Sequence, residues 1–376
     1  MQRIILSLLL LLSTLLLSGQ TEEALIEATI NQYIEGTSFN LPDKIKAAFL
    51  PEANMFLDYK DQPLYVLKVE EYADRVAKQE AGKFNGRVTN ILSIDRFAGI
   101  AAAKLEVIIP SFGRRFIDLL LLKKLANGWK IISKTAGSEP SERTASKALL
   151  VVSNATHQGE SALSAGNSFS EIIIAYDEYQ KAGYHVDIVS PKGGKVPLAY
   201  VNPADSLQLH YLYDKDFMYA LANTHSPTEI QPEAYDIIQF TGGSAPIFDV
   251  PQDNNIQRIA MHIYEQNQGV IAAVCHGTAG IVNLQLANGS FLVAGKKVNG
   301  VPDAHESKHL PHYAHYPFII EEVLKQRGGQ FHHSPIGTPH LEVDGRLVTG
   351  QNSLSSASVT RKSIEISKRL REKEKK

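Results

Sequence analysis

The one cysteine of this chain, Cys275, lies in the segment AAVCHGTAGIV (Ala272–Val282). An apolar run from Gly269 to Val274 leads into it, and a stretch compatible with a helix follows. This is the layout of a nucleophile at a sharp strand-to-helix turn, which exposes the side chain and aims backbone N–H groups at it. A lone cysteine is more often a small buried hydrophobe. The neighbouring His276 and Gly277 favour a reactive thiol instead, and we expect the turn and His276 to lower its pKa.

Two other groups of residues could form a functional site in place of Cys275 and His276. His340-Leu341-Glu342 is a His-x-Glu pair of the kind that class I glutamine amidotransferases use with their cysteine. Four histidines and Glu306 cluster in the segment PDAHESKHLPHYAHYP, and some of their spacings resemble those of zinc ligands. The prolines of this segment predict a loop, and the alternative is that these histidines line the mouth of a pocket. The four histidines are His305, His309, His312 and His315.

Alternating strand-like and helix-like segments surround Cys275. The apolar strands Leu149–Val152, His185–Ser190 and Asp236–Phe240 alternate with helical patterns, of which Ser170–Ala182 is the first. Such alternation predicts a parallel-sheet α/β sandwich, in which functional groups gather at the carboxyl ends of the strands. Thr241-Gly242-Gly243 and Cys275 both fall at such ends.

The first part of the chain has a different pattern, in which helix-like segments come before strand-like ones. Helical patterns at Glu22–Thr37, Pro42–Phe49 and Lys68–Gln79 precede four strand-like segments. Helices followed by a run of strands predict an α+β domain. The predicted strands are Val88–Ile94, Gly99–Ile109, Arg114–Leu122 and Trp129–Ser133.

Composition narrows the classes of function. The chain has 376 residues, 44% hydrophobic and 21% charged, as is ordinary for a folded protein. Its net charge of −2 excludes an overall positive electrostatic potential of the kind that attracts nucleic acids. A single cysteine excludes an intrachain disulfide framework.

The first residues predict export. Arg3, an apolar stretch from Ile4 to Leu17 and the small residues Ser18 and Gly19 form the pattern of a signal peptide. Such a protein is periplasmic or secreted, without a membrane span after cleavage; the alternative is an uncleaved N-terminal anchor. The predicted order is a signal peptide (1–19), an α+β domain (20–136), a linker (137–146), an α/β domain (147–366) and a charged tail without assigned function (367–376).

The second domain resembles the ThiJ/PfpI superfamily, also called the DJ-1 superfamily. The segments DIIQFTGGSA, AAVCHGTAGIVN and LVAGKKVNGVPDAHE carry the resemblance, together with GRLVTGQN and the long insertion before Asp236. The insertion and the GQN motif resemble those of the glyoxalase III and heat-shock-chaperone branch of this superfamily. The resemblance implies a flavodoxin-like, class I glutamine amidotransferase-like fold and a homodimer.

The resemblance also assigns roles. It makes Cys275 the nucleophile, His276 the triad histidine and Glu306 its carboxylate partner. Glu171 takes the place of the acid that touches the sulfur, although Ala175 stands where the family usually has proline. The backbone amides of Gly243 and His276 would form an oxyanion hole.

These roles imply a glyoxalase III-type lyase or deglycase that processes small reactive carbonyl compounds. The thiol would add to the aldehyde of methylglyoxal, and the product would be lactate; neither a cofactor nor a metal is required. Two alternatives remain open. One is a stress chaperone or redox sensor whose cysteine is oxidised, and the other is a cysteine hydrolase of the peptidase or amidase type.

The first domain resembles the nuclear-transport-factor-2-like superfamily, in particular its SnoaL-like and lumazine-binding-like members. The opening helix and FIDLLLLKKLANGWKIISKTA (Phe116–Ala136) carry this resemblance. It implies a cone formed by a curved sheet around helices. Because no histidine lies between Met1 and Thr156, we expect a non-catalytic binding or dimerisation module.

Overall fold

The chain divides into two compact units, Met1–Ser141 and Glu142–Lys376. The computed structural model describes residues 21–59 and 62–374. The predicted signal peptide therefore lies outside the described residues. Within the described ranges, no helix has the length and apolar character needed to cross a membrane.

The first unit begins with a capped helix. The Thr21 side chain accepts a hydrogen bond from the Ala24 N–H, and Ile26, Ile30 and Tyr33 form the buried stripe of the helix. The helices of this unit are α1 (Glu22–Ser38), α2 (Pro42–Ala48) and α3 (Val69–Val76). The strands are β1 (Phe49–Tyr59), β2 (Gln62–Lys68), β3 (Val88–Phe97), β4 (Ile100–Ile109), β5 (Arg114–Leu125) and β6 (Gly128–Pro140).

The six strands of this unit form one sheet in the order β2-β1-β6-β5-β4-β3. All neighbours are antiparallel except β1 and β6, which run parallel. The sequence patterns did not predict β1 and β2. Pro51 and Glu52 interrupt the alternation in β1, and its register shifts between Phe49 and Asn54. A strand with such an irregularity lacks the period of two that identifies a half-buried strand.

The structure differs from the predicted linker at its first residues. Strand β6 continues through Pro140, because Gly137–Pro140 pair with Arg114–Ile117 of β5. The polar composition of this stretch reflects a solvated strand end, and only residues 141–146 lie between β6 and the next strand.

The second unit alternates strands and helices. Its strands are β7 (Lys147–Val151), β8 (Asn167–Ser168), β9 (His185–Val189), β10 (Leu198–Ala199), β11 (Ile237–Phe240), β12 (Val270–Val274), β13 (Lys297–Val298), β14 (Gln330–Phe331), β15 (Leu341–Asp344) and β16 (Leu347–Gly350). Its helices are α4 (Phe169–Lys181), α5 (Ser206–Tyr213), α6 (Lys215–Ala222), α7 (Pro246–Asp249), α8 (Asn254–Glu265), α9 (Ile320–Gln326) and α10 (Ser356–Glu374).

The main sheet of this unit confirms the predicted α/β fold class. Its strand order is β15-β16-β12-β11-β7-β9, and every pair is parallel except the edge pair of β15 with β16. The central strands β11 and β12 are buried throughout. Their continuous apolar sequences are those of strands covered on both faces.

The edge strands β15 and β16 form a hairpin, in which Gly345 turns the chain with a φ of +61°. One predicted segment of this unit folds differently. The predicted charged tail is the end of helix α10, which continues to Glu374. Ser367 is buried there and accepts a hydrogen bond from the Tyr184 hydroxyl at 2.9 Å. Buried contacts on one face therefore make this charge-rich segment helical.

Candidate active site

Cys275 lies immediately after β12, on a strained turn. Its φ is +55°, in the left-handed region that costs a non-glycine residue about 1–2 kcal/mol. The next residues form a seven-residue 3₁₀ helix, Cys275–Ile281. The sharp turn expected from the sequence is present, and Cys275 as a residue is partly exposed, although its thiol is surrounded by protein atoms.

Glycines of the neighbouring strand end allow this turn to fit. Gly242 follows β11, and a Cβ there would lie 2.8 Å from Oε2 of Glu171 and 2.9 Å from Cβ of Cys275. Gly243 has a φ of +113°, and a Cβ there would lie 2.4 Å from the Gly166 carbonyl oxygen. Both positions therefore require glycine. The predicted oxyanion-hole residues, Gly243 and His276, thus follow two adjacent parallel strands, β11 and β12.

Glu171 reaches the site from the first turn of α4. It is 1% exposed, and the Gly242 N–H donates to its Oε2 at 2.7 Å. Burial, the largest influence, raises the pKa of this carboxyl to about 7, although hydrogen bonds from Gly242 and Cys275 oppose the shift. A carboxyl in contact with a thiol thus titrates close to neutral pH.

His276 connects Cys275 to Glu306. Its Nδ1 lies 3.7 Å from Sγ of Cys275, and its Nε2 lies 2.8 Å from Oε1 of Glu306. Glu306 follows the short 3₁₀ helix Asp303–His305. When Nε2–H donates to the carboxylate, the lone pair of Nδ1 faces the thiol. The structure therefore brings together all four predicted catalytic residues.

The expected lowering of the thiol pKa is not found. Burial raises the pKa of the Cys275 thiol well above its usual range, and the charge of Glu171 adds to this. A hydrogen bond from the His276 N–H opposes the shift. The sequence identified this favourable contact but not the burial, which outweighs it. Because Cys275 and Glu171 are in contact, the thiolate is favoured only when Glu171 carries a proton.

Two tyrosines near the site were not identified from the sequence. The Tyr316 hydroxyl lies 3.2 Å from Nε2 of His276 and hydrogen-bonds the Glu306 carboxylate. Tyr200 has a φ of +56°. Burial, followed by the charges of Cys275 and Glu171, raises its pKa, so it lies beside the same charges. The only sequence signal for either residue was an aromatic position in a polar loop.

The alternative groupings are located elsewhere. Among residues 21–59 and 62–374, no group of three or more histidine, cysteine or acidic side chains could hold a metal ion. His305 instead packs against His333, with ring centroids 5.4 Å apart, and His312 packs against Tyr316. Neither contact places these rings around a common centre.

The His-x-Glu pair is present but does not contact the thiol. His340 Nε2 lies 3.0 Å from Oε1 of Glu342, and His340 Nδ1 lies 2.7 Å from Oγ of Ser334. His332 contacts the same Glu342 oxygen at 3.1 Å. The imidazole that faces Cys275 is that of His276.

Each of the two units matches a family model. Residues 163–365 match the model of the DJ-1/PfpI family, and residues 21–135 match a family described as "Putative lumazine-binding". The glutathione-independent glyoxalase hsp3101 of Schizosaccharomyces pombe is 30% identical over 234 residues, which cover 56% of this chain and 90% of that protein. The glutathione-independent glyoxalase HSP31 of Saccharomyces cerevisiae is 31% identical over 214 residues, covering 52% and 86%.

Solved structures show the same fold. The Rapid Encystment Protein of 24 kDa from Francisella tularensis is 27% identical, with a TM-score of 0.56, and covers 59% of this chain and 99% of its own. Glyoxalase III from Candida albicans is 25% identical, with a TM-score of 0.54, and covers 59% and 97%. The family match spans more than half of the 376 residues and includes Glu171, Cys275 and Glu306. The chain therefore belongs to the DJ-1/PfpI family.

Proposed function

We propose that the second unit converts α-oxoaldehydes such as methylglyoxal into 2-hydroxy acids, with Cys275 as the nucleophile and without glutathione. The observation that carries this proposal is the position of the thiol between two proton carriers. One is the Glu171 carboxyl, with a pKa of about 7, and the other is Nδ1 of His276, 3.7 Å from Sγ. Relatives named glutathione-independent glyoxalase, at 30% and 31% identity, support the same substrate class.

The proposed reaction begins at sulfur. The S–H proton passes to the Glu171 carboxylate or to Nδ1 of His276 as Sγ bonds to the aldehyde carbon, which gives a hemithioacetal. The N–H groups of Gly243 and His276 are the proposed donors to the oxyanion that develops there. Because burial disfavours the free thiolate, transfer of the proton during the attack avoids a costly intermediate.

The next step moves a proton between carbons. A base removes the proton of the former aldehyde carbon, and the neighbouring carbonyl carbon receives a proton, so that a thioester of the 2-hydroxy acid forms. Glu171 suits this task because its pKa lies near the working pH. Water then adds to the thioester, the C–S bond breaks and the thiol regains its proton. One water is consumed, and no oxidant or reductant is needed.

The test is the release of lactate from methylglyoxal by the protein in glutathione-free buffer. We expect turnover by the parent protein and its loss in both Cys275→Ser and Glu171→Gln. Glu372→Gln is the control, because Glu372 is an exposed acid near the end of α10, and it should retain parental activity. Chiral chromatography identifies which lactate enantiomer is made.

The same experiment separates the alternatives. A parent protein that is alkylated at Cys275 by iodoacetamide but releases no lactate would contradict the proposal. Hydrolysis of amide or thioester substrates in its place would indicate a cysteine hydrolase. Suppression of client aggregation that persists in Cys275→Ser would indicate a chaperone.

A further inference from the structure

A charged cluster lies on the inner face of the sheet in the first unit. Its centre is Asp118 of β5, which is 1% exposed. Lys134 Nζ lies 2.9 Å from Oδ1 of Asp118, and the Tyr33 hydroxyl donates to Oδ2 at 3.0 Å. Arg87 Nη2 lies 3.7 Å from Oδ2. One carboxylate therefore faces two cations.

The charges of this cluster do not balance. Among the ion pairs that the described side chains form, Arg87 and Lys134 share the single carboxylate of Asp118. A guanidinium stays protonated in proteins, and a lysine side chain is ordinarily a cation at neutral pH. The cluster thus carries one excess positive charge, and an uncompensated buried charge is costly.

Hydrogen-bonding groups of the same cluster also lack partners. Nε of Arg87 and Oγ1 of Thr89 are buried without a hydrogen-bond partner. The two residues are separated by one position at the start of β3, so their side chains lie on the same side of the strand. The Arg87 side chain is 14% exposed, so it extends from the buried cluster towards the surface of the unit. A buried donor left unpaired is costly, and a ligand that accepts from it recovers this cost.

The surroundings of the charges are apolar. Lys134 pairs across the strands with Leu120 and Met55, and Asp118 pairs with Leu105. All three apolar side chains are buried. A hydrated inorganic ion gains little from such neighbours, whereas the carbon chain of an organic acid gains from contact with them.

We propose that the first unit binds a small organic monocarboxylate, whose charge is compensated by Arg87 and Lys134. One carboxylate supplies the single negative charge that the cluster lacks and accepts hydrogen bonds in the fork geometry that a guanidinium offers. This site is independent of Cys275 and of the function proposed for the second unit.

The fluorescence of Trp129 can report ligand binding to the first unit. It is the only tryptophan of the chain, it is 4% exposed, and it belongs to the same unit. The full chain is titrated at constant ionic strength with propionate, its neutral analogue propionamide, or inorganic phosphate, and binding is followed by fluorescence and calorimetry. We expect saturable binding of propionate alone. Equal binding of propionamide or phosphate, or no heat of binding with propionate, would overturn the proposal.

Two charge variants should change the affinity for propionate in opposite directions. Lys134→Met removes the excess cation and should weaken propionate binding at least tenfold, while Asp118 still compensates Arg87. Asp118→Asn leaves two cations and should tighten it several-fold. Lys123→Met, at an exposed position of β5, should change nothing. If Asp118→Asn fails to fold, a Lys134→Met protein with parental circular dichroism and unchanged propionate affinity is sufficient to reject the site.

Discussion

Tyr316 contacts two members of the predicted triad at once. Its hydroxyl lies 3.2 Å from Nε2 of His276 and hydrogen-bonds the carboxylate of Glu306. These two contacts fix the orientation of the carboxylate and the imidazole relative to each other. Tyr316 is therefore a positioning residue for the His276–Glu306 pair.

Replacement of Tyr316 by phenylalanine should change the reactivity of Cys275. In Tyr316→Phe, the Glu306 carboxylate loses one hydrogen bond and the imidazole of His276 is held less firmly beside Sγ. The rate of Cys275 alkylation by iodoacetamide, measured against pH, reports this change without assuming any substrate. Loss of one hydrogen bond of about 1 kcal/mol predicts about a five-fold fall in kcat, with little change in KM.

Tyr313→Phe is the matched control for this change. Tyr313 lies in the same loop, with its ring centroid 5.9 Å from that of Tyr316, but its hydroxyl donates to Asp303 at 2.6 Å. Its removal should leave the alkylation profile unchanged. Identical profiles for the two variants would show that Tyr316 only fills space.

At the scale of elements, two adjacent strand ends meet at Gly242. Strand β11 ends before Thr241 and strand β12 ends at Val274, and a Cβ at Gly242 would approach Glu171 Oε2, Cys275 Cβ and the His276 nitrogen to 3.0 Å or less. Relief of these contacts requires the carboxyl and the turn to separate. The close approach of the strand ends is therefore a requirement for the thiol–carboxyl contact.

Gly242→Ala should impair the site more than the fold. Overpacking of this kind typically costs about 1–3 kcal/mol of stability, whereas displacement of Glu171 from the sulfur should lower lactate formation at least a hundredfold. Gly137→Ala is the control, since a Cβ there meets nothing within 4 Å. Retention of activity in Gly242→Ala would show that the spacing of the strand ends is not critical.

The elements differ in how far the sequence predicts them. The apolar run before Cys275 identified β12 and the turn, because a buried parallel strand reads as continuous hydrophobicity. Strand β1 was missed because Pro51 and Glu52 break its pattern. The sequence predicts a solvated tail for the last turns of α10, because their charges conceal the buried Ser367.

The site was predicted less completely than the strands. Cys275, His276, Glu171 and Glu306 were named because motifs around them are local in the sequence. Tyr316 has no local motif, since its role depends on a loop folding over His276. The direction of the thiol pKa was wrong for a similar reason: burial depends on the whole unit and has no signature near Cys275.

At the scale of the whole molecule, each unit contains its own natural reporter. The only tryptophan, Trp129, belongs to the first unit, and the only cysteine, Cys275, belongs to the second. A chain with two compact units need not unfold in one transition. Fluorescence and thiol accessibility therefore assign calorimetric transitions to units without any added label.

This assignment permits a test of Glu171 through the stability of the fold. Its pKa is about 7 in the folded protein, against an ordinary value of 4.5. Between these values the folded state binds more protons than the unfolded state, so stability falls as pH rises. The contribution is fully present below pH 4.5 and is lost once the pH passes about 7, and a difference of this size corresponds to about 3 kcal/mol.

Glu171→Gln should remove this pH dependence, because an amide does not titrate yet still accepts the Gly242 hydrogen bond. Relative to the parent, the variant should gain about 3 kcal/mol between pH 4.5 and pH 8, which for a unit of this size is a relative rise in Tm of about 6–12 °C. Calorimetry should show the shift only in the transition that exposes Cys275. The transition that changes Trp129 fluorescence should keep the Tm of the parent protein, and Glu372→Gln should leave both transitions unchanged. A variant whose offset from the parent is the same at every pH would mean that Glu171 is ionised throughout, and Glu171 would then have no proton to carry at neutral pH.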